Sequence, residues 1–419
     1  MHTLYDQMRG GTTPMLDLKE RALVERIVAK DALKFGFAVW LAVRLTLSIW
    51  GIAVMAFSSP ETYPNVLKHY PHLDLPSGDL HDYALGLWNV YDTSIYTQIA
   101  DNGYDSDPDF LTAFFPGYPL LIKLVSIFLL GNSLLAAIVV SNIAALIFFW
   151  YLYRLVEADY GEAVAKRAVI ISAVFPTSFF LFMGYTEAPL LAFTVAAFYY
   201  ARQHKWWLAG VLAGGAALIK QPGVLLIVPL GYMYWKQYLT YSKKRRHTFL
   251  NKLEWVWLLL CPIAAGGYYA YRYLFVATSA GGLHDLGANE LITLPGVPLY
   301  NAFLAIRPDN PLLPFNVMDI CFAIVMIGLV IGVALKIRST TFSLHAVLLA
   351  LVSLSVTFLD TIDTRPEIDM PRRVLIIFPI FIYLALAVNR PRAFRIVVYF
   401  SSILYLCLTG LFINWFFVS

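Results

Sequence analysis

The chain has 419 residues, of which 59% are hydrophobic and 14% are charged, and its mean hydropathy is +0.66. Soluble domains contain about 45–50% apolar and about 25% charged residues, so this composition excludes an ordinary water-soluble fold. The net charge is only +4, and no stretch has the basic pattern of a nucleic-acid-binding surface. The composition therefore predicts an integral membrane protein.

The apolar runs are each about 17–25 residues long and uninterrupted, which is typical of transmembrane helices rather than barrel strands. We therefore expect an all-α fold, a polytopic transmembrane helical bundle. The three cysteines, Cys261, Cys321 and Cys407, lie inside apolar runs without a CxxC pair. They are interpreted as small core residues and do not indicate a redox compartment.

The first segment, residues 1–33, is polar and basic, and it precedes an apolar run at 34–57. It lacks the short apolar region and cleavage site of a signal peptide. By the positive-inside rule, the N-terminus is predicted to be cytoplasmic and the first loop, 58–132, to be extracytoplasmic.

One apolar run inside this loop, 113–131, is predicted not to cross. Six runs separate the outer residues 58–112 from the basic cluster after residue 236, and only an odd number of crossings can connect the two sides. This run contains Pro116, Pro119 and Lys123, so it is the best candidate for an interfacial helix on the outer surface.

About eleven crossings remain, and later basic clusters fix their direction. Lys243–Arg246, Lys336–Arg338 and Asn389–Arg392 are predicted to be cytoplasmic. The loops 276–315 and 361–372 and the C-terminus then lie outside. The predicted spans are 34–57, 133–155, 168–183, 187–202, 206–219, 224–238, 253–275, 316–335, 343–360, 373–389 and 396–417.

Within the first outer loop, residues 82–101 have helical periodicity. Leu85, Trp88, Tyr91, Ile95 and Ile99 form one apolar stripe. At about 100° per residue, Asp92 falls within this stripe, whereas Asp101 lies on the opposite face. A carboxylate drawn away from water is a candidate general base. The alternative is a helix cap or a structural ion pair, and the pattern leaves both open.

The segments around Asp92 resemble the PIG-V mannosyltransferases of the GT-C class. The residues that carry the resemblance are Trp88, Tyr91-Asp92, Ile99-Ala100-Asp101-Asn102-Gly103-Tyr104, Phe114-Phe115-Pro116-Gly117-Tyr118-Pro119-Leu120-Leu121, Phe175–Phe180, Tyr185-Thr186-Glu187, Leu208–Gly223 and Met370-Pro371-Arg372-Arg373. The family usually has Trp where Tyr91 stands, Arg where Lys220 stands and Tyr where Arg373 stands. The resemblance covers most of residues 82–382.

The resemblance implies that residues 34–417 form a membrane-embedded inverting glycosyltransferase. Such an enzyme moves a sugar, mannose in this family, from a polyprenyl-phosphate carrier to a hydroxyl of a lipid-linked or cell-surface acceptor outside the membrane. Asp92 matches the position of the catalytic base. Arg372, with Arg373 beside it and Lys220 as a second candidate, is expected to bind the donor phosphate. As an alternative, both arginines are helix-end residues that reach lipid headgroups.

Glu187 is expected to hold sugar or acceptor hydroxyls together with Tyr185, Tyr91 and Trp88, or to be an ordinary acid in the first turn of a helix. No cofactor is required by this chemistry, although a divalent metal stays open. The loop residues His69, His72, His81, Asp74, Asp79 and Asp82 have a spacing that fits no metal-ligand motif.

Two other classes remain as alternatives at this level. Many crossings and broken helices are also found in transporters of lipids or small solutes, and a non-catalytic scaffold would tolerate Asp92. The recognisable acids at the outer ends of spans favour the enzyme. The modest length favours a prokaryotic plasma membrane, with membrane lipids, donor and acceptor as the partners and no nucleic acid.

Overall fold

A computed structural model of the chain describes residues 18–57, 85–105, 108–242, 253–276, 290–358, 362–416 and 418. The helices in chain order are α1 Leu18–Phe57, α2 Asp92–Asn102, α3 Pro108–Leu111, α4 Gly117–Ser126, α5 Ser133–Tyr160, α6 Glu162–Ala173, α7 Glu187–Arg202, α8 Trp206–Ile219, α9 Ile227–Ser242, α10 Leu260–Tyr271, α11 Val297–Leu304, α12 Leu313–Lys336, α13 Thr340–Ser353, α14 Met370–Leu375, α15 Pro379–Ala387 and α16 Pro391–Ile413. Two short strands are β1 Glu290–Ile292 and β2 Val356–Phe358.

Short 3₁₀ turns accompany several helices: Gly86–Trp88, Ile127–Leu129, Ser178–Leu181, Gln221–Leu226 and Glu254–Leu259. A π-helical turn, Arg272–Val276, follows α10. The strands β1 and β2 form a three-residue antiparallel ladder in which Leu291 faces Thr357. The protein is therefore mostly helical, as predicted. The small ladder joins the predicted outer loop 276–315 to the last part of the predicted span 343–360, whose helix ends at Ser353.

Four helices in the described part of the chain are long and apolar enough to cross a membrane. They are Val28–Phe57 within α1, Ser133–Tyr160, Leu313–Lys336 and Pro391–Ile413. Each coincides with a predicted span. The other predicted spans fall on shorter or interrupted helices, so the chain is an integral membrane protein whose count of eleven crossings stays a prediction.

Some predicted spans are broken helices rather than continuous ones. The run 168–183 leaves the helix at Ala173, and the following residues up to Thr186 contain only the 3₁₀ turn Ser178–Leu181. The run 373–389 is likewise split between α14 and α15. Residues 178–187 are fully buried in protein, which is the condition under which non-helical backbone is tolerated at membrane depth.

The pair Gly214-Gly215 lies inside the continuous helix α8. The helix ends one residue before Lys220, whose extended backbone precedes the 3₁₀ turn Gln221–Leu226. Gly223 makes this sharp turn possible, because a Cβ atom there would be 2.2 Å from the carbonyl oxygen of Ala216. The chain therefore reverses at Lys220 rather than at the glycine pair.

Residues that were predicted to be cytoplasmic gather at one end of the bundle. The Arg167 guanidinium donates to the carbonyl oxygen of Asn389 over 3.3 Å, and Arg202 pairs with Asp159. The N-terminal half of α1 lies at the same end, because the Trp150 indole donates to the carbonyl oxygen of Ala29. These contacts bring the ends that were predicted to be cytoplasmic next to one another, and the side of the membrane that they face stays a prediction.

Helix α4 packs against α2, α5 and α8. At its start, Gly117 lies against the last turn of α8, where a Cβ atom would be 2.7 Å from the carbonyl carbon of Leu218. After its end, Ser133 at the start of α5 donates to the carboxylate of Asp101. One face of α4 is buried, whereas Leu124 remains 57% exposed. The interfacial placement of 113–131 stays a prediction.

Candidate functional site

Asp92 begins helix α2 as a result of an unusual backbone turn. Tyr91, the residue before it, has φ 49° and ψ −119°, a conformation that is strained for a residue with a side chain. The Asp92 backbone N–H donates to the Tyr185 hydroxyl oxygen over 3.3 Å, and that hydroxyl donates to the carbonyl oxygen of Val90 over 3.2 Å. Tyr185 therefore holds the N-terminus of α2 against the buried turn before α7.

Arg372 on α14 joins the two acids that the sequence singled out. Its Nη1 atom donates to Asp92 Oδ2 over 2.7 Å, and its Nε atom donates to Glu187 Oε1 over 3.0 Å. The guanidinium carbon lies 4.8 Å from the Tyr185 ring centre and 5.3 Å from that of Phe180. The arginine is thus fixed by two charge-assisted hydrogen bonds and two cation–π contacts.

Lys220 completes the cluster from the chain reversal after α8. Its Nζ atom lies 2.8 Å from Glu187 Oε1, so this one oxygen accepts from both cations. The Glu187 side chain is completely buried, whereas 29% of the Lys220 side chain and 16% of the Asp92 side chain are exposed. The second oxygen of Glu187 has no hydrogen-bond partner among the described residues.

Asp92 experiences opposing electrostatic effects. Burial raises the pKa of the Asp92 carboxyl above its usual value, and the Arg372 guanidinium opposes that rise. The acids Asp369 and Glu187 add to the rise, and Asp369 itself lies 3.9 Å from Arg372 Nη1. The basicity of Asp92 therefore depends on whether Arg372 remains in contact with it.

Three further residues of the predicted site are Tyr91, Trp88 and Arg373. Tyr91 packs against Trp415 and donates its hydroxyl hydrogen to the Trp415 carbonyl oxygen. Trp88 is buried under the guanidinium of Arg44. Arg373 donates to the carbonyl oxygens of Ser353 and Val356 at 2.8 and 2.9 Å. The structure therefore does not bring Arg373 into contact with Asp92.

A polar network that sequence reasoning missed supports Tyr185 from behind. Ser141 donates to the Tyr185 carbonyl oxygen over 3.0 Å, and the hydroxyl oxygens of Ser141 and Tyr118 lie 2.8 Å apart. Gly184 allows this turn to lie against α2, because a Cβ atom there would be 2.5 Å from Thr93 Cγ2. Ser141 stands within a long apolar run, so the sequence carried no sign of its role.

A second group of buried charged residues lies in the loop that precedes α14 and Arg372. Arg365 pairs with Asp319 of α12 through two hydrogen bonds, and these side chains are 2% and 0% exposed. Glu367 in the same loop is completely buried, and neither of its oxygens has a hydrogen-bond partner among the described residues. Burial raises the pKa of the Glu367 carboxyl to about 8. In the sequence, this second group was indicated only by the many charged residues in 360–373.

The described residues contain no group of three metal-ligating side chains that could hold an ion. The histidines and aspartates between His69 and Asp82 lie outside the described residues. The metal alternative from the sequence therefore gains no support from the part of the chain that is described.

Comparisons with known proteins point to one class of enzyme. Residues 114–267 match the family described as dolichyl-phosphate-mannose-protein mannosyltransferase. A stretch of 181 residues is 28% identical to "GPI alpha-1,6-mannosyltransferase 2" of Mus musculus, covering 39% of this chain and 34% of that protein. The chain thus matches about a third of the length of this curated relative. No solved structure matches.

The family match contains Glu187 and Lys220, whereas Asp92 and Arg372 lie outside its limits. The matched family and the mouse protein are both named as mannosyltransferases, in agreement with the class of enzyme that the sequence motifs indicate. The finer assignment to the PIG-V group stays a prediction. The chain is accordingly similar, over part of its length, to membrane mannosyltransferases.

Proposed function

We propose that the protein is a membrane mannosyltransferase of the GT-C type, in which Asp92 is the catalytic base. The observation that carries the proposal is the contact of Asp92 with Arg372, two residues 280 positions apart in the chain that meet at a partly exposed carboxylate. The similarity of residues 114–267 to a mannosyltransferase family supports the choice of sugar.

The donor is proposed to be a sugar linked to a polyprenyl phosphate. Asp92 accepts the proton of the acceptor hydroxyl while the acceptor oxygen forms a bond to the anomeric carbon. The bond between that carbon and the phosphate oxygen breaks, and the phosphate leaves with the electron pair. One attack from the face opposite to the phosphate inverts the anomeric configuration.

The cations in the cluster fit the charge that develops on the leaving phosphate. Lys220 is the more accessible of the two, and Arg372 is largely buried between carboxylates. A phosphate that draws Nη1 of Arg372 toward itself weakens the hydrogen bond to Asp92. Because Arg372 lowers the pKa of Asp92, this exchange makes the base stronger when the donor is bound.

Glu187 is proposed to hold sugar hydroxyls. Its Oε1 atom is fixed by Arg372 and Lys220, and its buried Oε2 atom has no partner among the described residues. A buried carboxylate oxygen without a donor is costly, and a sugar hydroxyl supplies one. Tyr185 and Tyr91 border the same region and offer their rings as walls.

The membrane side is part of the proposal. All four residues of the cluster lie on segments that the positive-inside rule assigns to the outer surface: the first outer loop, the turns before α7 and after α8, and the loop before α14. Asp92, Glu187, Lys220 and Arg372 are therefore proposed to act outside the membrane of a prokaryotic cell, on a lipid-linked or cell-surface acceptor.

The test uses purified full-length protein with radiolabelled polyprenyl-phosphate-mannose and a panel of lipid and glycan acceptors. We expect Asp92→Asn to abolish transfer. Asp101→Asn is the matched control, because Asp101 lies on the same helix but is exposed and accepts a hydrogen bond from Ser133 outside the cluster. Transfer by the Asp92→Asn protein at the wild-type rate contradicts the assignment of the base.

A transporter is distinguished by a parallel measurement on proteoliposomes. Uptake or translocation of the lipid-linked sugar without transfer to any acceptor would favour that alternative over the enzyme. Labelling of single cysteines placed near Pro116 and near Arg154 from outside intact cells tests the sidedness. The two positions should react on opposite sides of the membrane.

A further inference from the structure

The turn before α2 contains an aromatic residue at a position where glycine is usual. The Thr93 backbone N–H donates to the carbonyl oxygen of Val90 over 3.3 Å, so these four residues form a hydrogen-bonded turn with Tyr91 in second place. Its φ of 49° and ψ of −119° are those of the second residue of a type II′ turn, a position that glycine usually occupies. Tyr91 therefore needs contacts that hold it in this conformation.

The end of α16 has a second aromatic residue at such a position. Trp415 has φ 62°, its N–H donates to the carbonyl oxygen of Phe412, and the Phe416 N–H donates to that of Leu411, both over 3.0 Å. These two hydrogen bonds are the Schellman motif that closes many helices, and glycine usually takes its left-handed position. Trp415 occupies that position here.

The two aromatic residues contact each other directly. The Tyr91 hydroxyl donates to the carbonyl oxygen of Trp415, and their ring centres are 5.0 Å apart. In the described part of the chain, only five residues other than glycine have a positive φ, and these are two of them. Strained backbone persists where its surroundings hold it, and it is concentrated at active sites. The contact between Tyr91 and Trp415 is therefore a candidate support for the site.

Phe412 connects the same end of α16 to the surroundings of Arg372. It is completely buried, and its ring centre lies 5.4 Å from that of Tyr91. The ring centres of Phe180 and Tyr185 are 5.2 and 5.9 Å away, and these two rings hold the Arg372 guanidinium. The end of α16 thus touches both the residue before the proposed base and the rings that hold its arginine.

We propose that Phe412 and Trp415 are positioning residues for the base Asp92. They hold Tyr91, and through Tyr91 they fix the start of α2 relative to Arg372. This inference rests on the proposed function, because it concerns the same base. A small displacement of a reacting group is enough to slow a reaction, whereas neither positioning residue contacts the reacting groups. Loss of the support should therefore lower kcat and leave KM for the donor unchanged.

The first test is Tyr91→Phe, which keeps the ring and removes the hydroxyl that donates to Trp415. Transfer of radiolabelled mannose by the full-length protein is measured over a range of donor concentrations. We expect kcat to fall by about two- to tenfold, as for the loss of one neutral hydrogen bond. Tyr405→Phe is the matched control on α16, because the Tyr405 hydroxyl has no hydrogen-bond partner among the described residues. It should keep the wild-type kcat.

The second test is Trp415→Gly, which suits the left-handed backbone and removes the ring that packs against Tyr91. Its matched control is Leu130→Gly, because Leu130 also has a positive φ, 57°, and a fully exposed side chain. We expect a lower kcat in Trp415→Gly and an unchanged kcat in Leu130→Gly. The losses in Tyr91→Phe and Trp415→Gly should not add in the double variant, since both loosen one turn. Trp415→Gly also serves as the test if Tyr91→Phe does not fold.

Hydrogen–deuterium exchange gives a readout that does not require transfer. Backbone amides of residues 90–97 should exchange faster in Tyr91→Phe and in Trp415→Gly than in the wild type, because the turn opens more often. Tyr405→Phe and Leu130→Gly should exchange as the wild type does. Absence of transfer by the wild type would contradict the proposed function alone, and the exchange rates would still test the contact.

Three results would overturn the proposal. One is an unchanged kcat in both Tyr91→Phe and Trp415→Gly. Another is a raised KM with an unchanged kcat, which would make Tyr91 a substrate-binding residue rather than the link to Asp92. The third is an equal loss of kcat in the two variants and in their controls.

Discussion

Replacement of Arg372 by lysine tests whether one side chain must contact both acids at once. Arginine reaches Asp92 through Nη1 and Glu187 through Nε, at 2.7 and 3.0 Å. A lysine ammonium is a single point of charge on a flexible stem, so it can replace only one of these contacts. The other acid then loses a charge-assisted hydrogen bond, worth about 1.5–3 kcal/mol.

If the two donor atoms of Arg372 hold Glu187 and the leaving phosphate in the transition state, a loss of this size corresponds to a decrease of about ten- to a hundredfold in kcat. The assay is transfer of radiolabelled mannose at saturating donor, together with a thermal unfolding curve of each variant. Arg372→Met removes the charge as well and leaves two buried acids with one cation, so we expect a loss of about 3–5 kcal/mol in stability.

Arg373→Lys is the matched comparison, because it is the same chemical change one residue away. Arg373 contacts two backbone carbonyl oxygens and makes no ion pair within the described residues. We expect its kcat to stay within about threefold of the wild type, since less than 1 kcal/mol of transition-state contact is removed. Equal rates for Arg372→Lys and wild type would refute the reasoning, as would an equal loss in both lysine variants.

Two further predictions concern the support of the site. Gly184→Ala places a Cβ atom 2.5 Å from Thr93 Cγ2 and should lower stability by about 1–3 kcal/mol together with transfer activity, whereas Gly231→Ala, with open space around it, should do neither. Burial raises the pKa of Glu367 from 4.5 to about 8, so the folded protein binds this proton more tightly than the unfolded chain. Stability should fall as the pH rises between those values, by up to about 1.4 kcal/mol per pH unit. Melting curves from pH 5 to 9 should lose this slope in Glu367→Gln and keep it in Asp363→Asn, which replaces an exposed acid.

Some features of the site could be predicted from local patterns. Asp92 was recognisable because it falls on the apolar stripe predicted for residues 82–101, and the structure indeed buries part of it. The helix itself begins only at Asp92, so the stripe residues Leu85, Trp88 and Tyr91 lie before it. Glu187 and Lys220 were recognisable because each stands at the end of an apolar run, and the structure joins them at 2.8 Å. Hydrophobic periodicity and the positions of charges are local properties, and both can be read along the chain.

Other features depend on contacts between distant segments. The family resemblance favoured Arg372 over Arg373, although the two have the same side chain and adjacent positions. In the structure only Arg372 reaches Asp92 and Glu187. The short helix α14 sets this difference, because consecutive side chains on a helix point in directions about 100° apart. The packing of α14 therefore decides which of two adjacent arginines enters the cluster, and charge and periodicity alone do not distinguish them.

The sequence by itself determined that the chain is a helical membrane protein, and it identified the acids at the ends of the apolar runs, because the bilayer requires long apolar helices and excludes charges. Only the tertiary structure decided that the run after α6 is broken and buried and that Arg372 lies between two carboxylates. The partners of a buried charge are supplied by helices far apart in the chain, so its environment is fixed only when those helices pack together.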